Sequence, residues 1–371
     1  MLSTQSCEEN PTAVGVSLLR QGDFSKLRID TLSAAISSTI ATPINTDGSD
    51  QLLVGKYPGY NAISVVTFTG LPAGKLDTVS IIDAKIVLRA VYHFGDDPAP
   101  LAFQGYQAAA LTDSATYDSL IMRPSDYYFA NPILTFPPTI VNDTTTIECL
   151  IDTGIVHNWF TIPGTLTNYG VVLIATNVNT IKGFASFAND STSYAPALVV
   201  DCIANGTQDT ITYITGESHF FANIALSDLV SPDPQSMYVQ SGVAYRAQLD
   251  FNLDTLPKAA LIVKAQLELT PNVTHPITSS NLTDTLYSYF VNPDSTIVAQ
   301  PVESQTVTVG SSTVYWFAVA DYVRSWAKGD TLQRLQFAGL RETNSLDRYA
   351  LYGTRSPADV RPRLIVTYIL P

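Results

Sequence analysis

Charge is scarce in this chain. Lys, Arg, Asp and Glu make up 14% of the 371 residues, against roughly 25% in an average soluble protein. Twenty residues are basic and the net charge is −13. A phosphate backbone must be met by basic surface, so nucleic acid is excluded as a partner. Docking to anionic lipid by charge alone is disfavoured for the same reason. Cysteine is limited to Cys7, Cys149 and Cys202, with no C-x-x-C pair, and the four histidines are His93, His157, His219 and His275. Ligands so dispersed do not describe a zinc site. No apolar run reaches the roughly 18 residues that a membrane-crossing helix requires, and no hydrophobic leader region opens the sequence. The G-x-S-x-G elbow, the P-loop and the dinucleotide fingerprint are all missing.

What is present is strand material. Hydrophobic residues reach 46%, and Val, Ile, Thr and Tyr dominate while helical periodicity is nearly absent. The chain also repeats itself. "LLVGKYPGYNAISVVTFTGLP" (52–72) is matched by "MYVQSGVAYRAQLDFNLDTLP" (237–257), which pairs Phe68 with Phe251 and Leu71-Pro72 with Leu256-Pro257. "IIDAKIVLRA" (81–90) is matched by "LIVKAQLELT" (261–270), and both alternate with period two. "YFANP" (128–132) is matched by "YFVNP" (289–293). "LIDTGIVHNWFTIPG" (150–164) answers "AVADYVRSWAKGD" (318–330), and "APALVVDCIA" (195–204) answers the closing "RPRLIVTYIL" (361–370).

These blocks predict an all-β protein: two tandem jelly-roll-like antiparallel β-sandwiches arising from an internal duplication. The expected boundaries are a tether over 1–27, a first sandwich over 28–206 and a second over 207–371. Val156 and Trp159, like Val323 and Trp326, are three apart and share a face of a short amphipathic turn. Trp159 and Trp326 are therefore expected to plug the ends of their sandwiches, with Asp321 capping the second turn. Pro362 marks the entry to the last strand, whose Leu364, Val366 and Tyr368 share one face, as do Leu198, Val200 and Cys202. Residues 94–124 read as a long loop that the second copy largely lacks. Cys149 and Cys202 are candidates for a disulfide or for two buried thiols.

The second copy resembles the DNRLRE-type domain, a β-sandwich of secreted and surface-anchored microbial proteins. Its pattern is carried by Arg246, Leu249, Phe251, Leu256-Pro257, Val323, Trp326, Arg361-Pro362, Leu364, Val366 and Tyr368. The first copy keeps Phe68, Leu71-Pro72, Val156, Trp159, Pro196 and Leu198 but loses the arginines. The opening "SCEENPTAVGVSLL" is similar to the start of Gram-negative surface lipoproteins, with Cys7 as the lipid anchor. The resemblance implies a fold and an outer-membrane or extracellular location; its motifs are structural.

Candidate sites are correspondingly few. Tyr57 and Tyr60 in "KYPGYN", and Tyr106 in the expected loop, are the aromatics expected to be exposed to a ligand. Asp96 and Asp97 are the acidic pair a polysaccharide hydrolase would need. "NTDGSDQ" (45–51) and "FGDDPAP" (94–100) offer oxygen atoms to a structural Ca²⁺, though each is already explained as a turn; no other cofactor is implied. The expected function is non-catalytic: an extracellular or cell-surface structural or adhesion protein that meets polysaccharide or other surface proteins. A self-assembling filament or coat subunit is the first alternative, and a hydrolase the second.

Overall fold

The computed structural model describes residues 27–42, 44–71, 79–110, 112, 115–161, 170–188, 194–204, 206–224, 233–243, 245–274, 285–292, 296–297, 300–309, 312–328 and 334–370. The expected tether and Cys7 lie outside them. The protein is all-β, built as two antiparallel sandwiches. The first contains β2 (Gln51–Tyr57), β3 (Tyr60–Phe68), β4 (Val79–Gly95), β5 (Pro100–Ala108), β6 (Tyr128–Ile140), β7 (Thr146–Leu150), β8 (Val171–Ala175), β9 (Thr180–Ala185), β10 (Ala197–Ala204) and β11 (Thr207–Asn223). The second contains β12 (Ser236–Gln240), β13 (Tyr245–Phe251), β14 (Leu261–Leu269), β15 (Leu286–Phe290), β16 (Val302–Glu303), β17 (Gln305–Val309), β18 (Ser312–Ala318), β19 (Arg334–Gly339), β20 (Arg348–Tyr352) and β21 (Arg363–Ile369). It also contains β1 (Leu27–Ala41).

That last membership corrects the expected boundary. β1 opens the first copy, yet it pairs with β21 through residues 27–33 and with β13 through residues 34–41. β11 opens the second copy, yet it pairs with β10 and then β3. Each leading strand therefore completes the other copy's sandwich. The two insertions match in detail. Ala34 lies opposite Phe251, and Thr215 lies opposite Phe68. Directly before each of these residues the strand changes partner, from β21 to β13 and from β10 to β3, and directly after each the register shifts. The repeat identified Phe68 with Phe251; it could not show which sandwich the strand opposite each would come from.

Alternation made the first core readable. β4 buries Ala84, Ile86, Leu88 and Ala90, and β10 buries Leu198, Val200 and Cys202. They face Val54, Val66, Phe68, Phe103 and Phe184 across one core. Leu364, Val366 and Tyr368 do the same in the second core. Two short helices close the sandwiches: α2 (Thr153–Thr161) and α3 (Ala320–Ala327) follow α1 (Tyr117–Met122) in chain order. Val156, Trp159, Val323 and Trp326 are all buried, as their spacing predicts. Each tryptophan contributes about 4–6 kcal/mol of apolar transfer. Asp152 caps α2, accepting from the N–H groups of Gly154 and Ile155 at 2.7 and 3.2 Å. Asp321 does not cap α3; Val319 holds that position, and Asp321, in the first turn, accepts from Arg324 Nη1 of the last turn at 2.7 Å.

Two other expectations change. Residues 100–108 form β5, paired with β8, at the place that β15 takes beside β19. The segment peculiar to the first copy shrinks to the stretch between β5 and β6, which includes α1. The close match of YFANP and YFVNP is not structural: the first opens β6, an outer strand, while Tyr289 and Phe290 end β15. Its prolines fit because β6 lies at a sheet edge. Cys149 and Cys202 are free, buried thiols on β7 and β10, strands that flank β4 on opposite sides.

Candidate functional site

The hairpin turn in "KYPGYN" determines where two of the expected ligand contacts go. Gly59 adopts φ +83°, the conformation a glycine following proline takes at the tip of a tight turn. Tyr57 and Tyr60 then face each other across the hairpin, and both rings pack on Phe94, at centroid distances of 5.7 and 4.7 Å. Tyr60 is 7% exposed, and its hydroxyl donates to Gln240 Oε1 at 3.2 Å. Both tyrosines therefore belong to the joint between the sandwiches, not to an open binding face. The joint has its own core: Leu53, Tyr92, Ile181 and Phe220 of the first sandwich meet Leu346 of the second, with Val243 and Tyr245 packed alongside.

Polar bonds cross the same joint. Leu346 N–H donates to Tyr92 Oη at 3.1 Å, and Tyr245 Oη donates to the Ile224 carbonyl at 3.1 Å. Gln51 Nε2 donates to the Asn344 carbonyl. Arg341 stands 6.0 Å over the Tyr92 ring. Gly242 is required here: at φ +73° a Cβ would lie 2.6 Å from both Leu346 Cδ2 and the Ser345 carbonyl.

Beside the joint, two hollows of about 750 and 500 Å³ share Asp47 and His219. His219, on β11, is 6% exposed. Its Nε2 lies 2.8 Å from Thr112 Oγ1, and its Nδ1 lies 3.3 Å from Asp47 Oδ1. Hydroxyl, imidazole and carboxylate stand in the order used by nucleophilic hydrolases. Thr112 is only 4% exposed, however, and the ring packs edge-on against Phe221. The chain of bonds ties the 44–50 connection and the segment after β5 to β11.

A charged cluster lies at the rim of the first sandwich. β4 and β9 place His93 opposite Lys182. Lys182 has no exposed side-chain surface, and its Nζ meets Asp97 Oδ1 at 2.9 Å and Asp143 Oδ1 at 3.8 Å. His93 Nδ1 lies 2.9 Å from Asp143 Oδ2. A buried ammonium without partners would cost several kcal/mol, and the two carboxylates offset that cost. Asp97 thus holds a lysine, whereas Asp96 is exposed on the turn. The expected acidic pair is divided between these roles. Asn45 and Asp47 bond to each other within their own turn. Among the described residues no group of three His, Cys, Asp or Glu is arranged to hold a metal ion.

Tyr106 is on β5, not in a loop. It is half-buried, donates to Gln104 Oε1 at 2.7 Å, and packs on Tyr128 at 5.2 Å. Pro362 is buried immediately before β21. Sequence reading missed Lys182, Asp143, His219 and Thr112. Lys182 was the available signal, a single cation inside the apolar run "TIKGFA". Arg246 meets Glu342 through two 2.7 Å bonds, a structural pairing.

No protein-family model and no curated protein matches the chain. Two solved structures are similar over 93% of its length: T=1 particles derived from infectious bursal virus, at 11% identity over 74% of that chain with a TM-score of 0.12, and infectious bursal disease virus strain Gx, at 12% identity over 77% of that chain with a TM-score of 0.13. TM-scores this low carry no argument about the present chain.

Proposed function

We propose that this is a non-catalytic structural or adhesion protein of the extracellular space or a cell surface. The observation that supports the reading most is the reciprocal completion of the two sandwiches, together with the buried joint that joins them into one body. Such a design suits bearing load and presenting surfaces. The polar clusters are consistent with it, because Lys182, His93 and His219 each hold a turn or a neighbouring segment in place. Contact with a membrane is limited to a lipid on Cys7. Sugar binding narrows to the Tyr106–Tyr128 pair, since Tyr57 and Tyr60 face inward.

Antibody labelling of intact cells of the source organism tests the reading. The expected result is labelling without permeabilisation, removed by protease treatment of whole cells. Labelling only after permeabilisation contradicts the surface assignment. A glycan array separates adhesion to sugar from a purely structural role: binding that is lost in Tyr106→Ala would support the first. Hydrolysis of a polysaccharide panel that disappears in the Asp96→Asn, Asp97→Asn double variant would overturn the non-catalytic reading.

A further inference from the structure

β11 and β1 fill equivalent places, but they reach them differently. β11 follows β10 through a tight hairpin, with Ala204 opposite Thr207. β1 reaches the place beside β21 from the far end of the chain, and residues 42–50 link it to β2. Its side chains bond to the second sandwich. Tyr368 Oη donates to Asp30 Oδ2 at 2.9 Å, Thr354 N–H donates to Ser37 Oγ at 2.9 Å, and Tyr238 N–H donates to Thr39 Oγ1 at 2.9 Å.

β1 has little apolar anchoring. Ala34 is its one buried side chain and Leu32 packs partly buried against the second core, while Ile29 and Ile36 are 65% and 56% exposed. It is held chiefly by backbone ladders, with seven residues in register on β13 and seven on β21. The link to β2 is anchored at its second half, where Thr46 Oγ1 donates to the Phe220 carbonyl and Asp50 N–H donates to Asn344 Oδ1. These bonds lie at Thr46 and beyond, so β1 can leave its slot while the joint between the sandwiches stays in place.

We propose that the slot for β1 in the second sandwich also accepts β1 from a second copy of this chain, which joins molecules head to tail. Every ladder and side-chain bond named above re-forms when the strand comes from another molecule, so the two arrangements share the same contacts. What separates them is concentration. A tethered strand has an effective concentration on the order of millimolar, so a dilute protein closes on itself and a crowded one exchanges. The inference rests on strand pairing alone and stands apart from the surface-protein reading.

Thr31 and Ile365 are opposite each other in the β1–β21 ladder. Full-length Thr31→Cys and Ile365→Cys chains, both carrying Cys7→Ser, would be unfolded together, refolded at rising concentration and oxidised. The expected result on a non-reducing gel is a covalent pair of chains that increases with concentration and is absent when either variant is refolded alone. The double variant Thr31→Cys/Ile365→Cys, refolded dilute, should close within one chain, which verifies the register. The proposal is overturned if the mixture stays monomeric while the double variant closes. It is also overturned if pairs form equally in either variant alone, or if the double variant never closes.

Discussion

β1 and β11 occupy the same position in two sandwiches, yet they are buried very differently. Phe220 on β11 lies opposite Ser64 and is fully buried. Its counterpart on β1 is Thr39, opposite Ala247 and partly exposed. The cause lies outside the ladder. The outer face of the sheet holding β2, β3 and β9 is covered by Leu346 and its neighbours at the joint, and by Leu120 of α1 farther along. Among the described residues, the outer face beside β1 has no comparable cover. Topology therefore does not determine a strand's anchoring; what lies on its second face does.

The largest effects should break this asymmetry at its buried end. Phe220→Ala is expected to lower stability by about 3–5 kcal/mol through the cavity it leaves. Thr39→Ala should lower it by about 1 kcal/mol, the loss of one hydrogen bond. Denaturant titration of both variants checks the contrast, and equal losses would remove it. Lys182→Met leaves Asp97 and Asp143 facing each other without their cation. The expected loss is about 3 kcal/mol, at the low end for breaking a buried pair because both carboxylates are partly exposed.

A smaller effect comes from Cys149. Burial pushes its thiol from 9.0 up to about 12. The folded state thus disfavours the thiolate, and the associated stability is complete below the unfolded value of 9.0 and declines as the pH rises toward about 12. At neutral pH the thiol should resist alkylation until the protein unfolds. Thermal scans and thiol labelling across this range check both statements, and rapid labelling of Cys149 in the folded protein would contradict them.

Period-two alternation made β4, β10, β14 and β21 legible, because each has one face in a core and one in water. It gave less guidance at β2, β8 and β9. Their runs "QLLVG", "VVLIA" and "TIKGFA" are covered on both sides, so they carry no alternation to read. This is also why Lys182 attracted no attention; Tyr60, on the neighbouring β3, looked exposed because the joint that covers it is built from both sandwiches. Trp159 and Trp326 were readable from local spacing. The partners of Asp97 and His219 were not, since Lys182 is brought to Asp97 by the β4–β9 pairing and Thr112 to His219 from outside any strand, both over long separations. The exchange of β1 and β11 was hidden for a related reason. Two copies of one pattern show that two slots exist, but not which copy's strand fills which slot.

Hydrogen exchange on the full-length Leu32→Pro variant tests the reciprocal assignment most directly. Leu32 pairs with Leu364, and proline there constrains the backbone, cannot donate to a ladder and disrupts β1. Protection should fall in β13 and β21 of the second sandwich and remain in β3 and β10 of the first. Loss of protection in β3 and β10, with β13 and β21 unchanged, would show that β1 belongs to the sandwich it precedes and would contradict the account.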